Sequence, residues 1–222
     1  MDLFEALYTT RAMRRVSSDP VPADVQASIL DAAIRAPTGG NAQNWRFLLV
    51  DDAEAIGRLA PLYKAGIDSL WETIYAERVA WASEDPEDPE RAQFLRVQRS
   101  AVWAAEHFDR YPLLLFGFAQ HDPTGGSIYP ALWSAQLAAR AHGVGSTLTV
   151  VLMFHDEAVK EILGVPTDEG WIQAGCVLLG YPTGTWGVAA RRPVDEVSFR
   201  NRWGEPLGFE VPEPLWPSAR PG

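Results

Sequence analysis

Four short apolar runs constrain this chain of 222 residues more than any other feature. Residues 45–50, 112–119, 146–154 and 171–179 are dense in Val, Leu, Ile, Phe and Trp. A helix needs about 20 apolar residues to cross a bilayer, so none of these runs spans one. Their length and β-rich composition predict strands, and residues 112–119 predict a strand buried on both faces. The segments between them predict helices, sometimes two in a row. Regular βαβ alternation is therefore absent, and the pattern predicts an α+β fold with a mixed, mostly antiparallel sheet flanked by helices.

The helical segments carry their own signals. Residues 2–15 predict an amphipathic helix, with Asp2 as cap and Leu3, Phe4, Leu7 and Tyr8 on one side. Asp19-Pro20-Val21-Pro22 breaks the chain, and Pro22 suits the start of a second helix with Val25, Ile29, Leu30 and Ala33 as its apolar stripe. Asp51 and Asp52 cap another helix. Residues 64–83 and 90–110 predict helices joined by the acidic, Pro-containing run 84–90, a solvated connector. Residues 130–142 and 155–163 predict two more. From residue 183 on, the chain is rich in Pro, Gly, Trp and Arg, which suits a tail that wraps a partner surface or frays.

Charge and cysteine usage exclude several functions. The net charge is -10, and an acidic surface repels nucleic acid phosphates and anionic lipid, so neither is expected as a partner. The lone Cys176 forms no intrachain disulfide and lies inside an apolar run, where a thiol is buried and inert. The first residues lack a basic segment followed by an apolar one, so a cytoplasmic protein is expected. His107, His121, His142 and His155 are scattered, without metal-ligand spacing, and no metal is expected.

Four segments can carry chemistry. Arg11 and Arg15 are four apart, and a helical backbone would put both guanidinium groups on one face, a receptor for a phosphate dianion. Arg14 would point elsewhere. The same spacing also fits a basic last turn that complements the helix dipole. Pro37, Thr38, Gly39 and Asn41 sit in a Gly-rich loop whose backbone can approach a flat ligand, or which simply stops a helix before a strand. In His142-Gly143-Val144-Gly145-Ser146-Thr147-Leu148-Thr149 glycines end a helix before a strand of small residues. That segment lacks the three-glycine dinucleotide fingerprint, so nicotinamide binding of the Rossmann kind is not expected. Arg191-Arg192-Pro193 is a basic run that completes a phosphate clamp or pairs with Asp195 and Glu196.

Taken in order, these segments resemble the FMN-binding nitroreductase family. Tyr111-Pro112-Leu113-Leu114-Leu115, Leu163-Gly164-Val165-Pro166 and Leu179-Gly180-Tyr181-Pro182 extend the resemblance to about residues 2–204. It implies one FMN-binding domain over 1–204, with 64–110 a variable helical segment and 205–222 a Pro-rich tail. It also implies a homodimer with FMN at the subunit interface. Arg11, Arg15 and Arg191 would hold the phosphate, with Arg192 as the alternative to Arg191. The backbone at Ala12 and Met13 would lie beside the phosphate and the pyrimidine ring. Pro37, Thr38, Gly39 and Asn41 would reach the flavin from the partner. Leu148 and Thr149 match the segment that donates a backbone N–H towards the reactive ring nitrogen. Met13 stands where the family often has Ser, and Asn44 where Pro is usual.

The implied activity passes two electrons from NAD(P)H through FMN to a small electron-poor acceptor: a nitroaromatic, quinone, flavin or enone. A deazaflavin is an alternative donor. The cofactor supplies the chemistry, so no catalytic side chain is assigned. Trp71, Trp81, Trp103 and Phe108 fall in the variable segment and are candidates for a lid over the acceptor. Reductive dehalogenation, oxygen-dependent flavin breakdown and non-catalytic FMN storage are the rival activities for the same fold.

Overall fold

Leu113–Ala119 is buried along its whole length, and the fold is built around it. The computed structural model describes residues 1–211, so the expected tail over 205–222 falls largely outside the described residues. Four strands form one sheet: β1 (Trp45–Val50), β2 (Leu113–Ala119), β3 (Gly145–Thr149) and β4 (Ile172–Gly180). Their order is β1-β2-β4-β3, and every neighbouring pair is antiparallel.

Side chains alternate across a strand, so the two faces of β2 enter two different cores. Leu113, Leu115 and Ala119 pack with Ile29 and Ala33 of α2 (Ala23–Ala33) and Leu132 and Ala135 of α6 (Ile128–Ala141). Leu114, Phe116 and Phe118 pack with Leu59, Tyr63 and Ile67 of α3 (Ala53–Glu72) and Ala104 of α5 (Pro89–Glu106). Burial on both faces is why this run is apolar at every position. A bulge leaves Ala174 of β4 without a pairing partner, since Gly117 faces Gly175 and Phe118 faces Gln173. The extra residue shifts the alternation, and Cys176 ends up in the core with Phe116. There it is fully buried, and burial pushes its thiol well up, as expected for an inert cysteine.

Helix starts follow the capping residues. Asp2 accepts from the Glu5 N–H, Asp52 from the Ala55 N–H, and Asp88 from the Glu90 and Arg91 N–H groups. The predicted helix 64–83 is two helices, α3 and α4 (Ala76–Glu84), because α3 is capped at Thr73 and Tyr75 lies outside helical geometry. The predicted strand 146–154 stops at Thr149, and Val151–His155 turns into a 3-10 helix before α7 (Asp156–Leu163).

The largest departure lies at the N-terminus. The expected helix over 2–15 ends at Thr9, giving α1 (Leu3–Thr9), and Thr10 is already extended. Two consecutive β-branched residues weaken the helix there. The edge of β3 offers unpaired backbone groups, and the following segment takes them. Ala12 bridges Ser146 in parallel, with the Met13 N–H donating to the Ser146 carbonyl at 3.0 Å. Further on, the Ser17 N–H donates to Tyr181 O and the Thr183 N–H to Arg15 O.

Two glycines permit this close passage. A Cβ on Gly145 would sit 2.9 Å from the Met13 Cβ, and one on Gly180 would sit 2.8 Å from the Val16 Cβ. Any side chain at either position would push the edge segment off the sheet. Among the described residues no helix is long and apolar enough to cross a membrane, and no group of three or more His, Cys, Asp or Glu is placed to hold a metal ion.

Candidate functional site

Where β3 ends, the chain leaves a cavity of about 420 Å³. Thr147, Leu148 and Thr149 line it from the strand, and Tyr63, Ile67 and Trp71 from α3. Arg78 on α4 and Phe94 on α5 close the far side, and Arg14 enters from the edge segment. Two arginines and no Asp or Glu line this space, in a chain of net charge -10.

Arg14 is held by its backbone, since the Tyr111 hydroxyl donates to the Arg14 carbonyl at 2.5 Å. Burial pushes the phenols of Tyr63 and Tyr111 up, so both are neutral donors at any physiological pH. Among the described residues the Arg14 guanidinium has no carboxylate partner. Thr147 Oγ1 and Trp71 Nε1 are buried and lack a hydrogen-bond partner. Buried polar atoms are normally satisfied, so polar atoms left open on residues lining one cavity mark a place for a ligand.

The expected site residues fall into four groups. Leu148 and Thr149 line the cavity. Arg11, Ala12, Met13 and Arg15 lie on the adjoining edge segment, but in an extended chain rather than a helix. Positions 11 and 15 then stand about 13 Å apart at the backbone, so the argument that helical spacing groups them does not hold. The Arg11 guanidinium donates to Thr185 O at 3.1 Å, and that of Arg15 lies 5.3 Å from the Trp103 ring. Met13 is buried against Gly145, and its N–H donates to the Ser146 carbonyl.

Arg191 donates to its own neighbour, Ala190 O, and both Arg191 and Arg192 line a second cavity of about 610 Å³ between residues 188–194 and α1. The fold thus gives each of the three expected phosphate cations a different immediate neighbour.

Pro37, Thr38, Gly39 and Asn41 form the fourth group, in the loop before β1. Asn41 and Gln43 adopt positive φ, 55° and 51°, which costs roughly 1 kcal/mol for residues other than glycine. The Gln43 N–H donates to Thr38 Oγ1, and its side-chain amide to Asn41 Oδ1, which fixes the loop. This loop sits at the β1 edge of the sheet, and β3 is the opposite edge. Strands are spaced about 4.8 Å apart, so three intervals put the two edges about 14 Å apart.

Arg14 is the residue that reading by helical period missed. Alternation with period two would have found it. Once Thr9-Thr10 stops the helix, an extended segment with Met13 turned inward sends Arg14 to the other side. Of the aromatic lid candidates only Trp71 lines the cavity. Trp81 lies under Arg91 at 4.8 Å, Trp103 stacks on His107 at 4.2 Å, and Phe108 is fully buried in the core.

Comparison with known proteins agrees with this architecture. Protein DrgA of Synechocystis is 31% identical over 177 residues, covering 76% of this chain and 79% of its own. An NADH dehydrogenase from Thermus thermophilus is 28% identical over 204 residues, covering 89% of this chain and 95% of its own. The solved structure of oxidized iodotyrosine deiodinase bound to FMN and 3-iodo-L-tyrosine shares the fold, with a TM-score of 0.68 at 21% identity over 90% of this chain and 99% of that one. A family model described as the nitroreductase family matches residues 7–181, and the chain belongs to that family.

Proposed function

We propose that the protein is an FMN-dependent oxidoreductase that passes two electrons from NAD(P)H to a small electron-poor acceptor and works as a homodimer. The observation that carries this reading is the cavity at the end of β3, lined by the Arg14 guanidinium, which has no carboxylate partner among the described residues, and by Thr147, whose buried hydroxyl lacks a hydrogen-bond partner. The pyrimidine edge of a flavin presents carbonyl oxygens, acceptors that suit both groups. The apolar walls from Ile67, Leu148 and Val151 suit a flat ring. When bound, FMN supplies the hydride chemistry that amino-acid side chains lack.

The chain's own residues would bind, orient and exclude water. Arg14 would offset negative charge on the pyrimidine edge in a space that no carboxylate lines. Leu148 and Thr149 would present backbone at the ring. Arg11, Arg15 and Arg191, with Arg192 as alternative, remain our assignment for the phosphate, which requires their side chains to turn from their present neighbours, and the backbone at Ala12 and Met13 would lie beside the phosphate and the pyrimidine ring. No catalytic side chain is assigned.

The two sheet edges support the homodimer. Pro37, Thr38, Gly39 and Asn41 lie too far from the cavity to complete it within one chain, and a second copy would bring its loop there. The exposed apolar residues Phe4 of α1 and Trp133 of α6 suit burial between copies. NAD(P)H is chosen as donor because a relative matching most of the chain is named an NADH dehydrogenase. None of the relatives described above points to a deazaflavin.

The test is the visible spectrum of the purified protein, alone and after incubation with FMN. Yellow protein with one FMN per subunit that oxidises NADPH when menadione is added is the expected result. Protein that stays colourless in excess FMN would sink the reading. The likeness to a deiodinase supports one second reading, reductive dehalogenation, which predicts iodide release from 3-iodo-L-tyrosine by the reduced protein.

A further inference from the structure

The second arginine of the cavity is not explained by a flavin. Arg78 sits on α4, beyond a cluster of three aromatic rings. Trp71 and Tyr75 have centroids 5.0 Å apart, and Phe94 meets Trp71 edge-on at 5.8 Å and Tyr75 at 6.1 Å. The Arg78 guanidinium lies 4.7 Å from the Phe94 centroid. All four residues line the cavity. Among the described residues Arg78 has no carboxylate partner.

An exposed arginine in an acidic protein normally finds a carboxylate or faces open water. This one instead lies across a ring, where its planar group is held while its N–H edge remains available. Aromatic walls with a single guanidinium at the rim suit one kind of guest: a flat ring carrying one negative group. The ring stacks or meets the aromatic faces, and the anion accepts from the guanidinium fork.

From this we propose that Arg78, with Trp71, Tyr75 and Phe94, selects aromatic acceptors that carry a carboxylate over neutral acceptors of the same shape. The proposal rests on the flavoprotein reading above and names the acceptor class for that site. Donor phosphates are also anions, and they are the competing source of the same chemistry.

The test uses the FMN-loaded dimer and a matched pair of probes, 4-nitrobenzoate and 4-nitrobenzamide, titrated by calorimetry at low salt. The wild type is expected to bind the carboxylate about tenfold more tightly than the amide, the scale of one charge-assisted hydrogen bond. Arg78→Gln should bring that ratio close to one. Arg58→Gln, the same charge change on α3 outside the cavity, should leave the ratio as in wild type. The kcat/KM for the two acceptors should follow the binding ratio.

Equal affinity for both probes in the wild type would overturn the proposal, as would a preference that survives Arg78→Gln. So would an Arg78→Gln variant that weakens NADPH while keeping the acceptor preference, since the arginine would then serve the donor. Failure of the flavoprotein reading shows separately, as protein without a flavin spectrum before any probe is added.

Discussion

The two edges of the sheet solve the same problem differently. At β3 the chain covers its own edge: Ala12 and Met13 pair with Ser146, residues 15–17 pair with 181–183 just beyond β4, Gly145 and Gly180 let them come close, and Arg14 is carried to the mouth of a cavity. At β1 the edge is left beside a short loop whose polar groups face outward, with strained backbone at Asn41 and Gln43 held by hydrogen bonds. One edge is a receptor lacking polar partners, the other a fixed set of polar groups lacking a receptor. The difference teaches that a half-site can be rigid and still incomplete, which is what the proposed homodimer would resolve.

The strongest way to break the comparison is to uncover the β3 edge. Gly145→Val would drive a side chain into Met13 and strip residues 12–17 from the sheet. We expect a loss of about 3 kcal/mol, the upper range for overpacking, read from urea unfolding. A variant as stable as wild type would show that this edge is not closed by close passage.

Next is Arg14→Ala, which leaves the edge covered but removes its charge. FMN affinity should fall at least roughly tenfold, the scale of a charge-assisted hydrogen bond, and the melting temperature of the flavin-free protein should hold. Arg15→Ala should cost less, since its guanidinium rests on Trp103. Equal effects in a flavin-binding titration would return Arg15 to the leading role that spacing first suggested.

Tyr111→Phe removes the hydroxyl that holds the Arg14 carbonyl, at an expected cost of about 1 kcal/mol. The same group predicts a pH dependence. Burial raises the folded-state pKa of Tyr63 and Tyr111 above the unfolded value of about 10, so their contribution is complete below that pH and is lost as pH rises through it. Melting temperature should be level from neutral pH to about 9 and fall above 10. The fall should be shallower in Tyr111→Phe, and an unchanged slope would clear this phenol of the effect.

The smallest effect tests the β1 edge. Asn41→Ala should weaken FMN retention only about threefold, an exposed neutral hydrogen bond, and should cost about 1 kcal/mol of stability, because alanine tolerates the positive φ less well than asparagine. Co-expressed Arg14→Ala and Asn41→Ala subunits sharpen the point. If each site draws on both copies, a mixed dimer has one intact site and should bind one FMN with wild-type affinity. Two weakened sites, one about tenfold and the other about threefold, would show that Asn41 serves its own subunit.

Much of this fold was legible in the chain itself. Residues 45–50 form a strand with the expected bounds, and the all-apolar run of β2 forecast burial on both faces. Asp2 and Asp52 each begin a helix, and Ile29 and Ala33 mark the buried face of α2. These features rest on interactions between residues near in sequence, or on a simple count of apolar positions, and a sequence carries both in full. The segments around Arg11, Asn41 and Leu148 were likewise visible as places of unusual composition.

What tertiary structure alone decided is where those segments meet. Arginines four apart fit a helix as well as a strand, and only the open edge of β3, more than 130 residues away in the chain, settles the choice in favour of extension. That choice turned Arg14 into the cavity and parted Arg11 from Arg15. It also set the loop at Asn41 and the cavity at opposite edges. A backbone group buried without a partner is costly wherever it lies, and the partner it takes is set by proximity in space, which local pattern does not encode.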